Sequence, residues 1–262
     1  MTTLDIKTRL VAHLKELHLP TIRATFEELA EMARKEALTF EHYLLELIER
    51  EQEVRRDNRI QRLLRESRLP LEKTLESFDR SRLPRKVDLQ LSALADGSFI
   101  DRCENVLAFG NPGSGKTHLL AALGHELVRL GRRVYFTSCQ LLVQELLVAK
   151  RELALPQKLK RLARYEVIIL DDIGYVQQSR EEMEVLFTLL AYRYERGSMM
   201  ITSNLPFSKW ETIFKDPMTT AAAIDRLVHH SVILEVNLPS YRLESSKKKR
   251  SDDGEKPNAD DN

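Results

Sequence analysis

Along residues 1 to about 70 the apolar positions fall at helical spacing: Leu10, Leu14 and Leu17, then Phe40, Tyr43, Leu44, Leu47 and Ile48. Recurrence at i, i+3 and i+4 turns one face of a helix toward a core, so this stretch predicts a small all-helical domain. It holds no glycine, and Pro20 is its one proline before Pro70. Thr39, ahead of "FEHYLLELIER", carries the hydroxyl of an N-cap, and Glu41 and Glu46 place acidic charge early in the helix that follows. The same period runs on through "EQEVRRDNRIQRLLRESRL". Pro70 and Pro84 then punctuate a connector, "LPLEKTLESFDRSRLP", and a further helix leads toward residue 105.

From there the pattern alternates. Apolar strand runs ("NVLAFG", "RVYFTS", "EVIILDDIG", "SMMITSN", "VILEV") are separated by amphipathic helical stretches ("THLLAALGHELVRL", "QLLVQELLVAKREL", "REEMEVLFTLLAYRYERG", "WETIF", "AAAIDRLVHH"). Strand-helix alternation predicts an α/β fold, a parallel sheet with helices on both faces. The expected organisation is a helical domain over 1–70, an α/β domain over 71–240 and a tail over 241–262. In that tail "SSKKKRSDDGEKPNADDN" has almost no apolar content and is expected to be disordered.

With 262 residues, 42% of them hydrophobic, the chain can bury a substantial core. Lys+Arg 41 against Asp+Glu 40 leaves it near neutral, so any nucleic-acid surface must be a local patch. Such a patch is expected between Arg50 and Arg68, where seven arginines face four acids. Arg55, Arg59 and Arg62 share one helix face there, suited either to phosphate contact or to solvated i,i+4 pairing. Cys103 and Cys139 lack metal-ligand spacing and are too few for a disulfide framework, which points to a reducing cytoplasm. No N-terminal signal pattern and no 18-residue apolar run occurs, so no membrane partner is expected.

The chemistry concentrates in "GNPGSGKTH". Gly110, Gly115, Lys116 and Thr117 satisfy G-x-x-x-x-G-K-[ST] between a strand run and a helix run, the setting of a P-loop. The expected nucleotide contacts are Gly110, Asn111, Pro112, Gly113, Ser114, Gly115, Lys116, Thr117 and His118. Loop N–H groups would turn onto a phosphate at the helix N-terminus, Lys116 would bridge the β- and γ-phosphates, and the Thr117 hydroxyl would ligate Mg²⁺. In "VIILDDIG", Asp171 and Asp172 end an apolar strand, a Walker B arrangement: Asp171 for Mg²⁺, Asp172 to orient or deprotonate the attacking water. "MMITSN" ends in Thr202, Ser203 and Asn204. In nucleotidases with an extra strand between the P-loop and Walker B strands such a polar residue sits near the γ-phosphate, which makes Asn204 the candidate sensor; the alternative is a turn-forming Asn before "LPF". Arg226 in "AAAIDRLVHH" is either an arginine finger reaching a neighbouring subunit or a local partner of Asp225.

These motifs, together with "LTFEHYLLELIERE", "KTLESFD", "ITSNLPFSKW", "AIDRLVHHS" and "SYR", resemble the AAA+ ATPases. More narrowly they are similar to the IstB group of insertion-sequence transposition helper ATPases, relatives of the helicase loader DnaC. The resemblance implies ATP with Mg²⁺, a homo-oligomer in which Arg226 acts in trans, self-assembly on double-stranded DNA, and handover of a target site to the transposase of the same element. It also implies a second, cis-acting sensor at Arg242 beside Tyr241, although little chain follows for the usual helical lid. Asp172 stands where AAA+ proteins commonly carry Glu; a side chain shorter by one methylene suits a slow switch better than a fast motor. Alternative readings are a DnaC-like helicase loader, which would need its own helicase-binding extension, and a nucleotide-gated DNA-binding scaffold with negligible hydrolysis. A small-molecule kinase would need an acceptor pocket and lid on the same domain, and neither is legible.

Overall fold

The computed structural model describes residues 3–174, 179–214 and 216–240. By internal contacts the chain divides into Met1–Arg62 and Leu63–Asn262.

The first unit is helical: α1 (Thr3–Glu16), α2 (Pro20–Lys35) and most of α3 (Phe40–Ser67). Leu14, Ile22, Leu29 and Leu47 form its core, with Leu19, Phe26, Met32 and Tyr43 packed around them. Thr39 receives the His42 N–H at 3.3 Å, as its N-cap position requires. The start of α2 has no such residue, because Leu19 precedes it and makes no side-chain cap. Glu51 on α3 fills the role from a distance: its Oε2 accepts the N–H groups of Thr21 and Ile22 at 2.8 and 3.1 Å, while Oε1 accepts Arg55 Nε at 2.8 Å. Burial alone would raise the pKa of this carboxyl. The Ile22 N–H, the Arg55 guanidinium and the Thr21 N–H outweigh it and hold the pKa below the usual value.

A carboxylate with a depressed folded pKa stabilises above its unfolded pKa of about 4.3, and that contribution is lost as pH falls through the folded value. Glu51→Ala is expected to cost the helical unit about 1–3 kcal/mol at pH 7. Hydrogen exchange at the first amides of α2 in the full chain checks this, with acceleration at pH 7 and a smaller difference from the parent protein on acidification.

The second unit takes in the end of α3, then α4 (Arg85–Leu94), α5 (Ser98–Asp101), β1 (Asn105–Phe109), α6 (Lys116–Arg129), β2 (Val134–Ser138), α7 (Cys139–Arg151), α8 (Leu155–Leu162) and β3 (Val167–Ile173). It continues with α9 (Arg180–Arg193), β4 (Ser198–Ser203), α10 (Glu211–Phe214), α11 (Pro217–Val228) and β5 (Ser231–Glu235). All strand pairs are parallel, in the order β2-β3-β4-β1-β5. β4 therefore separates the P-loop strand β1 from the Walker B strand β3, the arrangement on which the sensor reading of Asn204 depends. Strand alternation sends Ile168 and Leu170 into a core shared with α7, α8, α9 and α11, while Ile169 meets α6 at Gly124. Helices thus cover both faces, as the alternation predicts.

The division at Arg62/Leu63 falls inside α3, ahead of the expected boundary at 70, because the end of that helix packs into the sheet unit. Leu63, Ser67 and Leu69 are buried, Arg68 lies over the Tyr135 ring, and Glu66 pairs with Arg133. The helix α8 is an addition to the elements that the apolar pattern predicts. Among the described residues no helix is long and apolar enough to cross a membrane. The tail over 241–262 lies outside the described residues.

Candidate functional site

Parallel strands end together, and their register fixes what meets at the carboxyl edge. Phe109 of β1 pairs with Ser203 of β4, and Ser203 also pairs with Ile173 of β3. Gly110, Asn204 and Asp172, each next to one of these positions, are thereby brought to one edge, where ligands of open α/β sheets bind.

The loop from Gly110 to Thr117 wraps the start of α6. Gly115 caps that helix at φ 96°, a left-handed conformation that a side chain would strain. Gly110 is demanded by contact as well: a Cβ there would fall 2.0 Å from the carbonyl oxygen of Val236. Lys116 is buried, its Nζ donating to the carbonyls of Gly110 and Asn111 at 2.8 Å each, so its ammonium is held within the loop's concavity. Asn111 and Pro112 are exposed at the loop tip, whereas Ser114 is buried and its hydroxyl has no hydrogen-bond partner.

At the end of β3 the pairing with β4 shifts between Leu170 and Ile173, and Asp172 adopts φ 65°. This bulge re-aims two consecutive acids. Thr202 bridges them: its hydroxyl donates to Asp171 Oδ1 at 2.7 Å and accepts the Asp172 N–H at 2.7 Å. Ser203 is spent on structure, donating to the carbonyls of Ile173 and Leu205. The Oδ1 of Asn204 is buried without a partner. Two buried and unsatisfied oxygens, on Ser114 and Asn204, lie on segments that start from the same strand edge. Buried polar atoms are ordinarily paired, so both fit a polar ligand at this edge.

A cleft of about 230 Å³ adjoins the loop, lined by Gly113 to His118 together with Lys73, Ser77, Phe78, Asp79, Arg82 and Leu238. Neither Phe78 nor Leu238 stands out in the sequence as a site residue. Phe78 approaches Gly115 and lies edge-on to His118 at 5.1 Å. His118 Nε2 is 3.0 Å from the Thr74 carbonyl and 3.1 Å from Ser77 Oγ, so this ring fastens the 74–78 segment beside the loop. Burial pushes its pKa down, with Lys73 adding to the effect against the Thr74 carbonyl, which favours a neutral ring. The chain after β5 closes the other side: Val236 N–H donates to Phe109 O at 2.7 Å, and Arg82 donates to Pro239 O at 3.2 Å. In the sequence this wall is touched only by "KTLESFD", one of the stretches that carry the family resemblance.

Arg226 lies elsewhere. It occupies the last turn of α11, which leads into the amino end of β5, the end of the sheet opposite the P-loop. Its guanidinium donates to Ala222 O at 2.8 Å and sits 5.1 Å from the Phe187 ring centre. A five-residue strand spans about 16 Å, more than the side chain can reach, so Arg226 does not meet the P-loop of its own chain. Arg55 is held within the helical unit by Glu51 and by the carbonyl of His18. Arg59 and Arg62 are exposed on the same helix. Arg242 lies outside the described residues.

A more continuous basic surface occurs on and just after α8. Lys160, Arg161 and Arg164 are exposed there, while Lys158 is paired with Glu145.

Residues 12–249 match the family model described as IstB-like ATP binding protein. A protein named as ATP-binding in an insertion sequence of Sinorhizobium fredii is 44% identical over 93% of this chain and 82% of its own length. The protein named likewise in insertion sequence IS21 of Pseudomonas aeruginosa is 40% identical over 90% of this chain and 89% of its own. Among solved structures, the DnaC helicase loader matches 63% of this chain and 97% of its own at TM-score 0.54 and 18% identity. AMPPCP-bound DnaA from Aquifex aeolicus matches 74% and 59% at TM-score 0.55 and 19% identity; both likenesses concern the fold. With the P-loop, the bulged acid pair and the interposed β4 in place, the chain belongs to the family of IstB-like ATP binding proteins and has the AAA+ fold.

Proposed function

We propose that this protein is a Mg²⁺-dependent ATPase that assembles into oligomers on double-stranded DNA and presents that DNA to the transposase of its insertion sequence. The observation that carries the reading is the carboxyl edge of the sheet, where the Lys116 loop, the bulged Asp171–Asp172 pair and the unsatisfied Asn204 oxygen converge. The relatives' association with insertion sequences supplies the biological setting.

In this reading Phe78 and Leu238 form the apolar wall for the adenine ring, and the N–H groups of the loop hold the phosphates. Thr117 and Asp171 would supply hard oxygen donors to a magnesium ion, whose charge would offset that of the phosphates. Thr202 fixes the Asp171 carboxylate through its hydroxyl and Asp172 through its N–H, so the two acids are positioned together. Asp172 orients the attacking water and takes up its proton as the β–γ phosphoanhydride bond breaks to give ADP and phosphate. Asn204 reports the γ-phosphate by donating from its side-chain amide nitrogen, while its buried Oδ1 is left to accept from a water. Arg226, at the far end of the sheet, serves the site of a neighbouring subunit. The protein works in the cytoplasm.

The DNA contact rests on charge, since no base-reading motif is legible. Lys160, Arg161 and Arg164 are its best-placed residues, and Arg59 and Arg62 on α3 are further candidates. ATPase rate measured with and without duplex DNA, alongside particle size, tests the whole: DNA stimulation with ATP-dependent enlargement is expected, and a DNA-indifferent monomeric ATPase would overturn it. Replacing Lys160, Arg161 and Arg164 with Gln is expected to shallow the dependence of log K on log salt by about 0.9 for each phosphate that these side chains neutralise. An unchanged slope returns them to ordinary solvated surface.

A further inference from the structure

At the amino edge of the sheet, away from the nucleotide site, the end of α9 meets the turn that joins α11 to β5. Glu195, His229 and His230 come together there, and one donor atom from each lies within 4.8 Å of the others. We propose that these three residues bind a divalent transition-metal ion of the zinc type.

The donor set decides the class of ion. Two imidazoles and a carboxylate form a usual zinc ligand set, whereas magnesium prefers oxygen donors throughout, so this site is chemically separate from the one at Thr117 and Asp171. Ligands of a tetrahedral zinc ion stand about 3.4 Å apart, given bonds of about 2.1 Å. All three side chains are exposed, which leaves their torsions room to turn toward a shared ion. The ring planes of His229 and His230 are already adjacent, with centroids 4.1 Å apart. Behind them the Tyr194 hydroxyl lies 3.1 Å from His229 Nδ1, the kind of hydrogen bond that holds a ligating imidazole in orientation.

Positive charge nearby would oppose a cation, and three arginines line the adjoining cavity of about 180 Å³. Each is turned to another partner. Arg102 pairs with Glu104 at 2.8 Å, Arg193 donates to the carbonyls of Tyr165, Glu166 and Ser198, and Arg226 donates to Ala222 O. Burial lowers the pKa of Arg193 to about 10, which leaves it cationic but committed to those carbonyls.

A bound ion would tie the end of α9 to the turn that follows Arg226 and fix the position of that helix end. Any effect of the ion on turnover rests on the trans-finger reading of Arg226; binding of the ion does not.

Titration of the full chain with Zn²⁺ by calorimetry, with Co²⁺ as an absorbing substitute, tests the site. One equivalent is expected, with the intense visible bands of tetrahedral cobalt. Glu195→Gln and His230→Ala should each weaken binding at least about tenfold, and Tyr194→Phe should weaken it by about tenfold because the ring is no longer held in orientation. His13→Ala, which removes an exposed histidine beside Glu16, should bind as the parent does. Metal-free melting temperatures equal to the parent's establish that the variants are folded. Zinc affinity unchanged in both Glu195→Gln and His230→Ala, or no binding by the folded parent, would overturn the proposal. Arg226→Ala should keep full zinc affinity whatever becomes of its ATPase rate, so failure of the finger reading and failure of the metal site remain distinguishable.

Discussion

Lys116→Ala is expected to lose ATP binding, while Asp172→Asn binds ATP normally and turns it over about 10²- to 10⁴-fold more slowly. The two residues share an edge but act on different terms of the reaction. The Lys116 ammonium is buried inside the loop and held by two carbonyls, Gly110 and Asn111, so it is already placed where phosphate charge would sit. Removing it deletes a charge-assisted contact made in the ground state as well as the transition state. Asp172 lies within the bulge and is exposed, its backbone fixed by Thr202, so its carboxylate is open to solvent at the carboxyl edge of the sheet. Amide substitution preserves shape and removes only the proton acceptor. Equilibrium binding of a fluorescent ATP analogue and single-turnover hydrolysis separate the two effects. Particle sizing on DNA adds a third arm: if Asp172→Asn with ATP fails to enlarge, then binding alone does not drive assembly.

The differences between sequence and structure follow from what each feature depends on. All five strands are legible because each is a short apolar run within a covered sheet, and Asp171 and Asp172 stand out because charge ends such a run. The helix α8 is hidden by Pro156, which reads as a break but occupies the first turn of a helix, where a missing N–H costs nothing. Leu155, Leu159 and Leu162 then supply the period, yet over only eight residues it is too short to assert itself against the preceding α7 pattern. Thr202 is visible as a polar strand end, but its bridge to both acids depends on a bulge between β3 and β4, and register is a property of two strands together. Phe78 and Leu238 are far apart in the chain and meet only because the connector and the segment after β5 both pass the loop. Arg55 reads as one of three equivalent arginines, because nothing in the sequence shows that α2 begins without a cap of its own. Glu51 serves both that helix and Arg55, and the arginine becomes part of the fold.

Arg226→Ala should bind ATP nearly as the parent does yet lose about 10³- to 10⁵-fold in turnover, the range by which an arginine finger accelerates phosphoryl transfer. Its placement makes the prediction sharper than the motif could. A side chain on the helix that leads into the amino end of β5 cannot serve a P-loop at the carboxyl end of β1 in the same chain, since a strand's length of about 16 Å separates the two ends. If Arg226 acts in catalysis at all, it acts on a neighbour. A finger role would require Arg226 to exchange its present contacts, the Ala222 carbonyl and the face of Phe187, for a neighbour's phosphate. Mixing tests this directly. Lys116→Ala has no working site of its own but offers a finger, and Arg226→Ala has a site but offers none, so mixed oligomers should recover a measurable part of the rate that each lacks alone. Recovery should rise and then fall with mixing ratio, peaking where unlike neighbours are most frequent. With both variants folded and shown to co-assemble, a rate that stays flat at every ratio would reduce Arg226 to a helix-end residue paired with its own chain.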